Sequence, residues 1–240
     1  MRTVRLGAAA AVIILAASAT PALAEHRGVT SDDAAGLGVT SARAGAVVER
    51  LRELPLPLRP FAPKAASAKA TPPSLPALES RRQQVYAELH SLGPASVPAL
   101  ARALRDPDPG MRRNVAVALD VVGGGWWHFP DGRRKLDLRP ALPALLTALQ
   151  DSDPGVRAWA AQDIGDIGAA AGSAVPRLLA MLRSPDAESR GAACNALGGI
   201  GIAARGALPD LRRALDDPVP EVRQAARAAI ASIGRASVVH

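Results

Sequence analysis

Four prolines, Pro98, Pro143, Pro176 and Pro209, each stand 14 residues before an arginine and 25 before a glycine. The arginines are Arg112, Arg157, Arg190 and Arg223, and the glycines are Gly123, Gly168, Gly201 and Gly234. The last three copies follow at intervals of 33 residues, whereas the first stands 45 ahead of the second, so 12 extra residues enter after Gly123. A fixed period of this length marks a solenoid, in which each unit buries its apolar face only against its neighbours. The period constrains architecture more than function: it predicts a surface for holding something without naming what is held.

Within each copy the residue types fall in the order of two helices. Proline costs little in a first helical turn, where its missing N–H has no intrahelical partner. Apolar residues follow at Leu100 and Leu104, Leu145 and Leu149, Leu178 and Leu182, Leu211 and Leu215. A turn comes next, written Asp106-Pro107-Asp108-Pro109, Asp151-Ser152-Asp153-Pro154, Ser184-Pro185-Asp186 and Asp217-Pro218. The second helix carries the arginine and is expected to stop at the glycine, which accepts a left-handed C-terminal conformation. Residues 79–93 place Val85, Leu89 and Leu92 on one face and read as a second helix without its first, a half-repeat. The expected fold class is therefore all-α. It is a right-handed α-solenoid of two-helix repeats at 94–123, 139–168, 172–201 and 205–234, led by that half-repeat and interrupted by an inserted loop at 124–138.

Arg2 and Arg5 precede an apolar run from Leu6 to Ala19, and Ala22-Leu23-Ala24 offers the small-x-small pattern of a signal-peptidase site. Residues 1–24 are thus expected to be a cleaved secretory signal. The run is shorter than the ~20 apolar residues of a membrane span. The expected product is periplasmic or secreted, without a membrane span after cleavage. Residues 25–78 contain Pro55, Pro57, Pro60, Pro63, Pro72, Pro73 and Pro76 and read as a disordered tether that adds little to stability. The exception is 41–54, where Val47, Val48, Leu51 and Leu54 share one helical face; this short helix suits a cap on the apolar end of the stack, with partner binding or an unfolded segment as the alternatives.

Formal net charge is +7, of which Arg2 and Arg5 supply two, and no long basic block is present. Nucleic acid is disfavoured as a partner, because phosphate binding concentrates Lys and Arg on one face. The single cysteine, Cys194, excludes an intramolecular disulfide and a cysteine metal cluster. It takes a slot held by Ala116, Ala161 and Arg227 in the other copies and suits a small packed side chain, with an intermolecular disulfide as the alternative.

The pattern Val-Pro-Ala-Leu, Leu-Arg-Asp-Pro-Asp-Pro, Arg and closing Gly at 97–123, repeated at 142–168, 175–201 and 208–234, resembles the short HEAT repeats named after phycobilisome lyases. That resemblance implies two candidate activities, bilin attachment and deoxyhypusine hydroxylation. The hydroxylase binds iron through His-Glu pairs, yet His26, His90 and His128 are followed by Arg27, Ser91 and Phe129, and His240 stands last. No catalytic residue, metal ligand or cofactor is therefore assigned. The expected function is a non-enzymatic scaffold for a protein partner, with an enzyme or enzyme accessory of lyase or hydroxylase type as the alternative.

Two places suit a partner. The insertion carries Trp126, Trp127, Phe129, Arg133, Arg134 and Lys135, and its Asp131-Gly132 step between an aromatic and an alternating run is a hairpin signal. Aromatic and arginine side chains anchor interfaces, but the tryptophans equally suit a cover over the widened seam. Counting 100° per residue along the second helix of the next copy turns Trp159, Gln162, Asp163 and Asp166 away from the core, onto what is the concave face in HEAT-like proteins. The corresponding slots elsewhere are mostly small. The ladder Arg112, Arg157, Arg190 and Arg223 is read as structural, each arginine reaching a turn carboxylate of its own or a neighbouring repeat.

Overall fold

Every described element is helical. The computed structural model describes residues 31–54, 75–124 and 135–236, and among these there is no strand. The chain divides between Arg43 and Ala44. Of the first unit the described part is the start of helix α1 (Ser31–Glu49), where Val39 stands 70% exposed.

The second unit takes up α1 at Ala44 and continues through a 3-10 turn at Arg50–Glu53. Helix α2 (Leu75–Ser91) follows. Four helix pairs come next: α3 (Ser96–Ala103) with α4 (Pro109–Gly123), and α5 (Leu142–Ala148) with α6 (Pro154–Ile167). The others are α7 (Val175–Met181) with α8 (Ala187–Ile200), and α9 (Leu208–Arg213) with α10 (Pro220–Ala236). The first helices form one layer and the second helices another, and the buried residues of all pairs join a single core. Leu100, Leu145, Leu178 and Leu211 are fully buried at equivalent points of the first-helix layer.

The sequence explains where these helices begin and end. Asp108, Asp153 and Asp186 take extended backbone at the N-caps of α4, α6 and α8, and their carboxylates accept from the N–H of Gly110, Val156 and Ser189 at 2.9–3.0 Å. Positive φ closes α6 at Gly168 and α8 at Gly201. Two expectations shift here. The residue with positive φ after α4 is Gly124, not Gly123, and Gly234 lies inside α10, which runs on to Ala236. The half-repeat helix starts at Leu75 rather than 79, and the helix read at 41–54 starts at Ser31 and ends in a 3-10 turn.

A hydrogen-bonded ladder ties one repeat to the next. The Nη1 of each ladder arginine donates to two carbonyls of its own turn: Asp106 and Pro107 for Arg112, Asp151 and Ser152 for Arg157, Ser184 and Pro185 for Arg190, Asp217 and Pro218 for Arg223. The opposite edge reaches the following turn. Arg112 donates to Asp151 from Nε at 2.6 Å and Nη2 at 2.8 Å, and Arg190 to Asp217 at 2.7 and 2.9 Å. Such two-pronged charge-assisted pairs fix orientation as well as energy. Each of those aspartates also shapes its own turn, accepting from Asp153 N–H and Val219 N–H. The guanidinium beside it holds Asp217 below the usual carboxylate range.

Ser184 stands where the other turns place aspartate. Arg157 therefore uses Ser189 Oγ at 3.0 Å and reaches Asp186 only at 3.4 Å. Ser184→Asp is expected to complete this rung and stabilise the fold by ~1 kcal/mol, the usual net worth of such a bond. The urea midpoint would rise; an unchanged or lower midpoint would show that the existing serine contact already suffices.

Candidate functional site

The broken junction lies between α4 and α6, and it is held on both sides of the insertion. Arg112 grips Asp151, and Arg113 grips Asp153 in a close ion pair. Of the residues read as an aromatic-basic projection, Trp126, Trp127, Phe129, Arg133 and Arg134 lie outside the described residues, as does Asp131-Gly132. Lys135 is described and exposed. The return arm of the expected hairpin, Lys135–Leu138, is not a strand. Leu136 N–H donates to Val122 O at 2.9 Å and Leu138 is buried, so this arm is stitched to the end of α4. A Cβ at Gly123 would sit 2.5 Å from Leu138 Cδ1, so any larger residue there would have to displace the buried Leu138 side chain. A small cavity of about 150 Å³ opens here, lined by Gly123, Lys135, Asp137, Arg139, Asp166 and Ile167.

The helical-wheel reading of α6 needs correction. Gln162 is partly exposed and Asp166 exposed, as expected, but Trp159 is 7% exposed and Asp163 is fully buried. The equivalent Ala192, Ala196, Ala225 and Ala229 are buried too. A second helix touches its own first helix and the second helices on both sides, so its flanks are interior as well as its inner face. Small residues at these slots are what the close approach requires. A Cβ on Gly199 would lie 2.6 Å from Gly165 O, and one on Gly198 2.9 Å from Ala229 Cα. Only the slots of Gln162, Asp166, Asn195, Gly199, Ala228 and Ser232 remain partly or fully exposed.

Polar groups are trapped beneath this surface. Neither carboxylate oxygen of Asp163 has a hydrogen-bond partner, and the indole N–H of Trp159 has none. Burial pushes the Asp163 carboxyl well above its ordinary pKa, helped by the carboxyls of Asp120 and Asp166. Desolvation raises Asp166 as well, opposed by Gln162, whose amide lies 3.5 Å away, and by Lys135. Burial likewise drives the Cys194 thiol up to about 12, and the side chain is wholly enclosed, so the intermolecular disulfide has no accessible sulfur.

Asn114 and Asp120 belong to this region and were not singled out from sequence. Asn114 Nδ2 donates to the carbonyls of Leu51 and Leu54 at 2.9 and 3.1 Å. The available signal was one polar residue just before the apolar run Val115–Val122, Asn114, and one inside it, Asp120. Among the described residues no group of three His, Cys, Asp or Glu side chains is placed to hold a metal ion, and no helix is long and apolar enough to cross a membrane.

Residues 142–231 match the family model for HEAT repeats. This stretch is a run of HEAT repeats. Among solved structures, the chain is similar to an engineered protein at 22% identity and TM-score 0.52, covering 83% of this chain and 87% of that one. It is also similar to the complex of CpcE and CpcF of phycocyanin lyase from Nostoc sp. PCC7120, at 22% identity and TM-score 0.51, over 63% of this chain and 89% of that one. A computationally designed armadillo repeat protein for modular peptide recognition matches at 19% identity and TM-score 0.50, over 86% of this chain and 95% of that one. At these identities the likeness is one of fold. No curated protein matches the chain. Over 142–231 HEAT repeats thus account for the period and the paired helix layers.

Proposed function

We propose that this protein is an exported, non-enzymatic scaffold that binds a protein partner across the second-helix face beside the insertion. The observation that carries the reading is the break itself: 12 extra residues enter a stack that is otherwise clamped rung by rung, and they leave and rejoin it beside the exposed Asp166 and Lys135. Lengthening a connection adds no core to a solenoid, so the insertion answers to a contact. Trp126, Trp127, Phe129, Arg133 and Arg134 belong to the proposed contact, together with Lys135, Gln162 and Asp166. Trp159 and Asp163 act beneath it as packing. Export rests on the N-terminal pattern through Ala24. Crosslinking pull-down from the native envelope tests the reading, using the wild type beside a chain whose residues 125–134 are replaced by a short Gly/Ser linker. The partner recovered by the wild type should bind the shortened chain at least tenfold more weakly, about 1.4 kcal/mol, at unchanged melting temperature. Equal binding by both chains would remove the insertion from the interface.

A further inference from the structure

The ladder has two ends, and they differ. At the N-terminal end Asp106 is filled by Arg52 from the 3-10 turn, with Nη2 at 2.7 Å and Nη1 at 3.2 Å. Interior rungs close in the same sense, Arg112 onto Asp151 and Arg190 onto Asp217. Arg223 at the C-terminal end is posed like the others, its Nη1 held by the carbonyls of Asp217 and Pro218 at 2.7 and 3.0 Å. Its Nε and Nη2 edge meets no carboxylate among the described residues.

We infer that the exposed edge of the last repeat, with Arg223 at its centre, is a docking surface for an acidic protein segment that presents an aspartate in a helix–helix turn. The receptor is already built, because fixing Nη1 aims the remaining edge where Asp151 and Asp217 sit on the interior rungs. The surroundings select the occupant. Interior repeats carry Ala101, Leu146 and Leu179 at one edge slot and Ala116, Ala161 and Cys194 at another, all packed on the core. The last repeat places the exposed Arg212 and Arg227 there. An apolar repeat face would have to bury those two charges unpaired, which is costly, whereas carboxylates would pair with them. A second copy of this chain is a poor occupant, since Arg52 already holds its matching aspartate. The exposed acids of this repeat, Asp216 and Glu221, face five arginines without carboxylate partners among the described residues: Arg205, Arg212, Arg223, Arg227 and Arg235. This surface is independent of the insertion-side contact proposed above.

The test uses the full chain, labelled with nitrogen-15, and the blocked peptide Leu-Gln-Asp-Ser-Asp-Pro-Gly, whose sequence is the chain's own turn at 149–155. At low salt, titration should shift the Arg223 Nε–H resonance saturably and ahead of other arginines. The peptide with both aspartates changed to asparagine should produce no shift. Arg227→Glu, a change at an exposed position, should weaken binding tenfold or more while the melting temperature stays the same; Arg223→Gln, which also gives up the Nη1 bonds to its own turn, should weaken binding at least as much. Equal shifts at Arg102, an exposed arginine of the first-helix layer, would mean general counterion attraction and overturn the proposal. So would the absence of any shift at Arg223, or binding that Arg227→Glu leaves intact.

Discussion

Leu51→Ala is expected to lower unfolding stability by about 2–5 kcal/mol, the range for emptying a fully buried leucine site. Leu51 has no exposure and sits in the 3-10 turn packed on α2 and α4, with Ala44, Val47, Val48 and Leu54 buried around it. Its carbonyl accepts from Asn114, so the backbone of this segment replaces a partner that Asn114 would otherwise lack inside the core. Arg50 pairs with Glu88 at 2.6 Å and Arg81 with Glu53 at 2.9 Å, holding the segment in place at the surface with little energy of their own. The expectation that 25–78 adds little to stability therefore does not extend to 44–54. Chemical denaturation distinguishes the two parts: a chain starting at Ala44 should keep the parent midpoint, and one starting at Glu79 should lose most of it. A Leu51→Ala midpoint equal to the parent's would mean that the segment rests on the stack without stabilising it.

The period, the helix pairs and the arginine ladder were legible because each is a repeated choice: four prolines, four arginines and the Asp-bearing turns occur in register. What the ladder arginines touch was only half legible, since an arginine and two candidate aspartates look alike whether the bond closes within a repeat or across to the next. The orientation of α6 was misjudged for a different reason. A helical wheel assumes one buried direction, and a central helix in a stack has three. Trp159 and Asp163 consequently fell on an apparent outer face that is in fact a buried flank, Asp163 lying near Asp120 of α4. The N-terminal closure was hidden in a region dominated by proline, because Arg52 has no periodic partner to align with. It acts as a ladder arginine borrowed from outside the repeats.

Asp163→Asn is expected to stabilise the protein most at neutral and alkaline pH and little near pH 4. Asp163 is wholly buried, its oxygens lack hydrogen-bond partners, and Asp120 and Asp166 add negative charge nearby, so the folded state favours the neutral acid. In the unfolded chain its pKa returns to about 3.9. Below that value both states hold the proton and the site carries no pH-dependent cost. As pH rises above it, the unfolded state releases the proton while the folded state keeps it, and stability falls by up to ~1.4 kcal/mol per pH unit until the folded pKa is passed. Asparagine copies the shape of the neutral acid and cannot ionise, which removes that slope. The difference in stability between Asp163→Asn and the parent should accordingly widen from pH 4 to pH 8, by about 1.4 kcal/mol for each pH unit over which the folded carboxyl stays protonated and the unfolded one does not. Asp120→Asn should reproduce part of the effect, because it removes one of the charges that hold the Asp163 proton in place. Parallel pH profiles for the parent and Asp163→Asn would show that the carboxyl reaches water or a cation in solution, and that the seam between α4 and α6 is open rather than packed.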